Sequence, residues 1–354
     1  MKYTFEISVS GCETECAHCY VGGGRAAAVS FGDYVKAIAK LSGILDKLEG
    51  EIHVTLGNEI FTHPRISDII YATRELIPDY YSYRGLSGFI PTTGISLVNR
   101  KDRRELLESV KRADCSGFML TLHGDREHHN TITQNKLSFD AVKACAKWLC
   151  GEGLDIKFNL MLSKFLIADW QKIHEFIADF PGAEKKLTIP LYLPTDRLRK
   201  FQRYRAEYDD CARLSGKLEN IGIKEENLFD NCERNIYAKV NDCVCFDYAE
   251  EENKLPEWTF FNITQAFDVF YGNAGLHTRR LGNLLYDAPD ELAQKMITLP
   301  ANYDWSAYYD TDKLPPIESV LRDIKPLNTN FVYSSIHDCI YSWLDGMNVP
   351  NIIL

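Results

Sequence analysis

The feature that most constrains the fold is a regular alternation of apolar runs and amphipathic segments over the first 200 residues. Six runs rich in apolar and β-branched residues have the length of strands: 4–10, 52–57, 86–94, 116–124, 156–162 and 187–193. The segments between them repeat apolar residues at helical spacing: 30–48, 63–76, 100–113, 138–153 and 168–180. Strands that alternate with helices predict a parallel sheet. Sequential right-handed crossovers then predict an α/β fold, a partial (β/α)6 TIM-type barrel with its site at the carboxyl ends of the strands.

The alternation stops near residue 200, which predicts two parts in the chain. Residues 1–199 are expected to form the barrel, and residues 200–354 an α+β extension. Within the second part, the aromatic-rich runs 258–264 and 267–272 predict strands. The basic segment 196–205 at the boundary predicts an exposed helix face.

Charge and cysteine usage narrow the class of protein. A net charge of −10 disfavours nucleic acid as a partner. The first residues lack the apolar core of a signal peptide, and no apolar run is long enough to span a membrane. Eleven unevenly spaced cysteines do not form the pattern of a secreted disulfide framework. We therefore expect a cytoplasmic protein whose clustered cysteines bind metal or do chemistry.

Three of these cysteines, Cys12, Cys16 and Cys19, lie within eight residues, directly after the first predicted strand. Three thiolates can ligate three irons of a cubane and leave the fourth iron open to a ligand, whereas four close an electron-transfer cluster. The alternative is a zinc site completed by His18 or by a distant residue. His18 adjoins Cys19 and would have to fold back inside the same tight loop.

The spacing Cys12-x3-Cys16-x2-Cys19, followed by Tyr20, resembles the motif of the radical S-adenosylmethionine (radical SAM) superfamily. The resemblance implies that the three cysteines bind a [4Fe-4S] cluster whose open iron is chelated by the amine and carboxylate of S-adenosylmethionine. It also implies that Tyr20 packs beside the cluster and the adenine.

The second strand ends in a stretch that resembles the Gly-Gly-Glu motif of the same family. Gly57 and Glu59 stand at the matching positions, and Asn58 replaces the middle glycine. Glycine allows a close approach of the backbone to a ligand, and a carboxylate accepts charge-assisted hydrogen bonds from an ammonium group. The resemblance implies that these three residues hold the methionyl end of S-adenosylmethionine.

Later strand ends carry weaker similarities to the family. Thr93, Thr121, His123 and Asn159 are further candidates for contact with S-adenosylmethionine or substrate, each with a purely structural role as the alternative. The adjacent residues 128–129, both histidines, are expected to lie in a solvated loop.

The C-terminal part resembles the SPASM or twitch domain, which holds auxiliary iron–sulfur clusters in many radical SAM enzymes that modify peptides. The run 261–272 and the Leu-Gly-Asn stretch 281–283 are similar to its hairpin, but Tyr271 or a neighbour stands where a cysteine is expected. Four cysteines that could hold an auxiliary cluster remain, with the alternative that they are free or buried thiols: Cys211, Cys232, Cys243 and Cys245. We expect a SPASM-like region that lacks auxiliary clusters.

The remaining cysteines are expected either to take part in catalysis or to pack in the core. An epimerase of this family needs a hydrogen-atom donor, and the candidates are Cys232, Cys243, Cys245 and Cys339, with Tyr271 conceivable. The other three are expected to be core thiols: Cys115, Cys145 and Cys150.

The resemblance implies an enzyme that cleaves S-adenosylmethionine reductively to a 5′-deoxyadenosyl radical, which takes a hydrogen atom from the substrate. The C-terminal similarity favours a ribosomally made peptide, modified by epimerisation or crosslinking. The alternatives are a small-molecule substrate, such as an amino acid, sugar or nucleotide derivative, and a non-catalytic zinc or iron–sulfur protein. An electron donor such as flavodoxin or ferredoxin is the expected protein partner.

Overall fold

The computed structural model describes residues 2–19, 21–83, 88–111, 115–192, 195–214, 216–223, 232–242, 258–272, 279–299, 315–323 and 330–347. Its strands are β1 Lys2–Ser8, β2 Glu51–Gly57, β3 Phe89–Thr92, β4 Gly117–Leu122, β5 Asp155–Met161, β6 Glu184–Thr188, β7 Trp258–Ile263, β8 Asp268–Tyr271 and β9 Arg279–Asn283. Its α-helices are α1 Phe31–Leu45, α2 Ile66–Leu76, α3 Ile95–Asn99, α4 Arg103–Lys111, α5 Arg126–Thr133, α6 Ser138–Gly151, α7 Lys164–Ala168, α8 Trp170–Ala178, α9 Asp196–Phe201, α10 Tyr208–Ala212, α11 Glu233–Asp242, α12 Pro289–Ile297, α13 Ile317–Asp323 and α14 Ile336–Gly346.

The strands form two sheets, with orders β2-β1-β7-β8-β9 and β3-β4-β5-β6. All pairs among β1 to β6 are parallel, so the predicted α/β fold, a partial TIM-type barrel, is confirmed. The described strands do not close into a barrel. The carboxyl ends of β1, β2 and β7 meet at one edge because these strands run in the same direction.

The second part of the chain continues the sheet of the first. β7 pairs in parallel with β1, with Lys2 opposite Trp258 and Ile7 opposite Ile263. β7 and β8 then form the predicted antiparallel hairpin, and β9 adds beside β8. The division at residue 200 stays a prediction. β1 is hydrogen-bonded to β2 on one side and to β7 on the other, so it contacts a strand from each part.

Apolar and polar side chains alternate along β1, which explains where the core and the polar face of the sheet lie. Tyr3, Phe5 and Ile7 are buried and apolar, and the Phe5 ring stacks on Phe261 of β7 with centroids 4.9 Å apart. Successive side chains of a strand point to opposite faces, so the intervening residues 4, 6 and 8 share the other, polar face. The apolar face joins the main core, which includes the buried faces of α1 and α2.

Three sequence predictions of structure are wrong. β6 spans 184–188 rather than 187–193, because charged residues are tolerated on an edge strand and Pro190 cannot donate a ladder hydrogen bond. The segment 196–205 is not one exposed helix: α9 ends at Phe201, which is buried, and Arg205 is 1% exposed.

The third correction concerns predicted loop and core residues. Residues 128–129 lie in α5, and His129 is 1% exposed, with its Nε2 2.9 Å from the Ser138 hydroxyl. Of the three predicted core thiols, Cys145 is buried, Cys115 is half-buried and Cys150 is exposed near the end of α6.

A second, smaller core lies in the C-terminal part and includes Ile236 of α11, Val320 of α13 and Ile340 of α14. None of the helices in the described part of the chain combines the length and the apolar character needed to cross a membrane.

Candidate active site

The three-cysteine loop follows β1 and is closed by its own backbone. The Cys12 N–H donates to the Gly24 carbonyl at 2.7 Å. The Glu15 and Ala17 N–H groups donate to carbonyls at the end of α5, at 3.1 and 2.8 Å. Gly11 must be glycine, because a Cβ there would lie 2.3 Å from the Ala26 nitrogen. The loop is therefore fixed before any ligand binds.

The sulfur atoms of the loop have polar contacts. Cys12, Cys16 and Cys19 are half-buried. The Thr14 hydroxyl lies 3.1 Å from the Cys12 sulfur and 3.4 Å from the Cys16 sulfur, so one side chain gathers two thiols. The Gly23 N–H donates to the Cys19 sulfur at 3.1 Å. Three thiols on one fixed loop, with polar groups already directed at their sulfurs, fit the ligand set of an iron–sulfur cluster.

The protonation of these thiols follows from their burial. Burial raises the pKa of Cys12 to about 12, with the charge of Glu59 as the second cause. Burial also raises the pKa of Cys16 to about 11. Both thiols are protonated at neutral pH without metal, so metal binding must release protons.

Gly57, Asn58 and Glu59 lie at the carboxyl end of β2, next to this loop. Gly57 cannot carry a side chain, because a Cβ would lie 2.2 Å from the Glu6 carboxylate. Asn58 has φ 62°, a left-handed conformation that asparagine tolerates, and its amide donates to the Ser8 hydroxyl at 2.8 Å. The Ser10 hydroxyl donates to the Glu59 carbonyl at 3.1 Å, which ties the two strand ends together.

Glu59 is a buried carboxylate held by the end of β3. The Thr92 hydroxyl is 3.0 Å from both carboxylate oxygens, and the Thr93 N–H donates to one of them. Burial, and then the charge of Glu13, raise the pKa of Glu59 to about 7. Removing a carboxylate from water costs free energy unless a cation or donors compensate. This site is thus suited to receive a positively charged group.

Glu13 lies beside Glu59 in this site, although no sequence motif singles it out. Its carboxylate accepts from the Thr93 hydroxyl at 3.4 Å and from the Ser96 hydroxyl. It thereby connects the cysteine loop to the start of α3. A single glutamate between two cysteines has no distinguishing sequence pattern, and only the position of β3 brings Glu13 and Glu59 together.

The candidates Thr121 and Asn159 are brought together on neighbouring strands. The Asn159 amide donates to the Thr121 hydroxyl at 3.4 Å and accepts from the Thr188 hydroxyl at 2.5 Å. These contacts run across β4, β5 and β6 at one level, because Thr121 is opposite Asn159 in the register. Thr188 is a polar member of this row that the sequence did not identify.

His123 is not part of this row of polar residues on β4, β5 and β6. It lies next to two other histidines beside the cysteine loop. Its ring centroid is 4.6 Å from that of His18 and 5.2 Å from that of His129. Burial lowers the pKa of His123 well below its usual range and that of His18 to about 4, so both are neutral. Ligand atoms of Cys16, His18 and His123 lie within 4.8 Å of one another. A zinc alternative would therefore use this set rather than three cysteines and His18.

A cavity of about 170 Å³ opens at the carboxyl ends of β1, β2 and β7. Its wall includes Cys12, Ser8 and Asn58 on one side and Asn262 and Gln265 on the other. The residues after β7 were not predicted to reach the loop, because the pairing of β7 with β1 has no local sequence signal. The cavity joins the cysteine loop to the C-terminal part.

Other predicted residues are apart from the loop or outside the described chain. Tyr20, Cys243 and Cys245 lie outside the described residues. Cys232 is 1% exposed and Cys339 is 0% exposed, each within an apolar core. Tyr271 is buried and packs on Phe261, on the apolar face of its sheet. The hydrogen-donor assignments stay predictions.

Comparison with known proteins now gives the class of protein. The sequence model of the Radical SAM superfamily matches residues 7–177. Residues 7–177 therefore carry a Radical SAM domain, which supports an enzyme, and the predicted cofactors, a [4Fe-4S] cluster and S-adenosylmethionine, are those of this superfamily. No curated protein sequence matches the chain.

Solved structures with the same fold are radical SAM proteins. Native anSMEcpe with bound AdoMet is 13% identical, with a TM-score of 0.54, and the match covers 99% of this chain and 100% of that one. SuiB of Streptococcus suis bound to S-adenosylmethionine is 13% identical, with a TM-score of 0.54, and the match covers 83% of this chain and 67% of that one. At this identity the likeness shows the shared fold.

Proposed function

We propose that Cys12, Cys16 and Cys19 hold the [4Fe-4S] cluster and that Gly57, Asn58 and Glu59 bind the methionyl end of S-adenosylmethionine beside it. When bound and reduced, the cluster supplies the electron that cleaves S-adenosylmethionine to methionine and a 5′-deoxyadenosyl radical. The radical then takes a hydrogen atom from a substrate C–H bond.

In this proposal the residues of the chain position the reactants. Glu59 accepts hydrogen bonds from the amino group, while Thr92 and Thr93 fix its carboxylate. Gly57 keeps the backbone free of a side chain at the point of closest approach. Thr121, His123, Asn159 and Thr93 are proposed contacts for the rest of S-adenosylmethionine or for the substrate, and Tyr20 for the adenine.

One observation supports this arrangement most directly. The end of β2 is hydrogen-bonded to the residues that lead into the cysteine loop: the Ser10 hydroxyl donates to the Glu59 carbonyl at 3.1 Å, and the Thr62 hydroxyl donates to the Gly11 carbonyl at 2.8 Å. The proposed ligand must therefore reach an iron on the cysteine loop while its amino group lies beside Glu59. S-adenosylmethionine has an amine on the same carbon as its carboxylate and meets this requirement.

The proposed substrate is a ribosomally made peptide, modified by epimerisation or crosslinking. The solved structures of the same fold include anSMEcpe with a Cp18Cys peptide and SuiB bound to the precursor peptide SuiA. In this chain the residues from about 200 onward would cover the barrel mouth and select the substrate, and the wall of the cavity near Asn262 and Gln265 comes from that part. A small molecule is the second candidate.

The proposal is tested by anaerobic reconstitution with iron and sulfide, followed by S-adenosylmethionine and dithionite. We expect 5′-deoxyadenosine and methionine in equal amounts, with no product above background for Cys16→Ala. Absence of 5′-deoxyadenosine from the reconstituted wild-type protein would overturn the proposal. A colourless preparation with one zinc per chain would support the non-catalytic alternative.

A further inference from the structure

Two imidazoles lie beside the cysteine loop, and a nitrogen of one of them has no partner. The ring centroids of His18 and His123 are 4.6 Å apart. His123 is 2% exposed, and the Nδ1 atom of His18 is buried without a hydrogen-bond partner in the described part of the chain. Because a buried polar atom without a partner costs free energy, this nitrogen indicates a ligand that the two rings receive.

The Cys16 sulfur is close to both rings. One ligand atom from each of Cys16, His18 and His123 lies within 4.8 Å of the other two. Bond lengths of about 2.0–2.3 Å place the ligand atoms of a tetrahedral zinc about 3–4 Å apart, so small side-chain rotations bring these three atoms to coordination distance. Thiolate sulfur and imidazole nitrogen are ligands that zinc prefers.

The other two thiols of the loop have different neighbours. The Cys12 sulfur lies 3.1 Å from the Thr14 hydroxyl, and the Cys19 sulfur accepts from the Gly23 N–H at 3.1 Å. Neither thiol belongs to the group formed by Cys16 and the two histidines. Of the three loop cysteines, Cys16 alone is therefore placed to bind a metal together with both rings.

The two histidines come from separate elements that the fold holds together. His18 lies in the cysteine loop, and His123 directly follows β4. The Phe201 ring packs edge-on against His18, with centroids 5.9 Å apart, and the His129 ring contacts His123 at 5.2 Å. Packing from both sides thus orients the two rings beside Cys16, so the ligand set is preorganised by the fold.

We propose that Cys16, His18 and His123 form a Zn²⁺ site that shares the Cys16 thiol with the cluster, so that zinc and the cluster exclude each other. Binding of Zn²⁺ releases one proton, from the Cys16 thiol, and each imidazole binds through the lone pair of a neutral ring. Water completes the fourth position, as it does at zinc sites with three protein ligands. The mutual exclusion rests on the proposed function, since it requires a cluster on Cys16, whereas the zinc site itself does not.

Arg197 limits the affinity of this site. Its charge is close enough to act on both Cys16 and His18. A neighbouring positive charge favours the thiolate that zinc requires but opposes the metal ion itself. With three protein ligands and this charge nearby, we expect zinc to bind more weakly than at a structural site with four ligands and to be removable by a chelator.

The test begins with cluster-free protein under anaerobic conditions, with Zn²⁺ or Co²⁺ as the probe. Calorimetry in buffers of different ionisation enthalpy should give one Zn²⁺ bound per chain and about one proton released. Co²⁺ should give the absorption of a tetrahedral complex, with the charge-transfer intensity of one thiolate rather than three. That intensity distinguishes this site from one made of the three loop cysteines.

Three variants of the loop separate the two metals. Cys12→Ala should lose iron after reconstitution but bind Zn²⁺ with wild-type affinity, because Cys12 belongs only to the cluster. His18→Phe, which keeps the ring packing, should still load about four irons per chain. Its Zn²⁺ affinity should fall more than about 100-fold, since changes of outer-shell partners alone cost about 10–100-fold. Cys16→Ala should lose both metals.

The exclusion is measured by the order of addition. One equivalent of Zn²⁺ added before iron and sulfide should slow cluster loading of the wild-type protein, and a chelator should restore the rate. The same addition should leave the loading of His18→Phe unchanged. Equal loading of the wild type with and without Zn²⁺ would overturn the exclusion.

An equal loss of Zn²⁺ affinity in Cys12→Ala and His18→Phe would place zinc on the three cysteines and overturn the site, as would an unchanged affinity in His18→Phe. Far-UV circular dichroism shows whether His18→Phe folds. If it does not, the Co²⁺ spectrum of the wild type and the Cys12→Ala affinity decide. Failure of the proposed function is separate, because it appears as wild-type protein that loads no iron, or forms no 5′-deoxyadenosine, after zinc has been removed.

Discussion

The cysteines of the N-terminal loop and the described cysteines of the C-terminal part have opposite surroundings. The sulfurs of Cys12 and Cys19 contact a hydroxyl or a backbone N–H and are half-buried. Cys211, Cys232 and Cys339 are at most 1% exposed and pack within apolar cores. The thiols of the loop thus have polar contacts and partial exposure of their residues, whereas the thiols of the C-terminal part are fully enclosed by apolar side chains. The first and last predictions below test this contrast.

The largest expected effect is loss of iron from the loop. In Cys16→Ala, iron content after reconstitution falls from about four per chain to near zero, because two thiolates do not hold a cubane. Cys339→Ala keeps the wild-type iron content. An iron content near eight per chain in the wild type, lost in part with a C-terminal cysteine, would contradict the contrast.

Glu59→Gln is expected to weaken binding of S-adenosylmethionine about 10- to 100-fold, since hydrogen bonds to charged groups contribute about 1.5–3 kcal/mol. Equilibrium dialysis against the cluster-loaded protein measures this. Iron content should stay at the wild-type level, because the amide keeps the hydrogen bonds that order the end of β3. A variant that binds S-adenosylmethionine normally would remove Glu59 from the site.

The affinity for S-adenosylmethionine should rise with pH. Burial and Glu13 raise the pKa of Glu59 to about 7, so the carboxyl is mostly neutral at pH 6 and offers no negative charge to the amino group of S-adenosylmethionine. Between pH 6 and pH 7.5 we expect roughly tenfold tighter binding, as the ionised fraction increases. Glu59→Gln is the control, and its weaker affinity should be flat over this range. A flat wild-type profile would contradict the assignment.

The smallest effect is expected at an enclosed thiol. Cys339→Ser should lower the free energy of unfolding by about 1–3 kcal/mol, because a hydroxyl replaces a thiol inside an apolar core. Cys339→Ala should cost about 1 kcal/mol. Urea unfolding of the two variants measures the difference, and neither should change the affinity for S-adenosylmethionine. A serine variant as stable as wild type would show that Cys339 is not enclosed.

Local sequence patterns predicted much of the parallel α/β fold. β2 and β5 begin and end within one residue of the predicted runs, because both are long apolar stretches with no competing interpretation. The cysteine loop and the Gly-Asn-Glu turn follow β1 and β2 as expected, since residues after parallel strands collect at one edge of a sheet. Their meeting at Cys12 and Glu59 follows from the same rule.

Nonlocal contacts could not be predicted. The alternation of the first 200 residues gave no sign that β7 pairs with β1, because register between distant strands depends on the whole fold. Glu13 and Asn262 were therefore missed. Arg205 was misjudged for a related reason: its guanidinium is buried against the backbone carbonyls of Pro190 and Val332, at 2.9 and 3.1 Å, which a basic local sequence does not indicate.

The pairing of β1 with β7 has a consequence for folding during synthesis. Lys2 leaves the ribosome about 250 residues ahead of its partner Trp258, which at about 5–20 residues per second is an interval of roughly 12–50 s. During that time one edge of β1 has its backbone groups unpaired, and such an edge invites pairing with other chains. The cysteine loop directly follows this half-paired strand. When chaperones are scarce, we therefore expect the newly made enzyme to aggregate before iron binds.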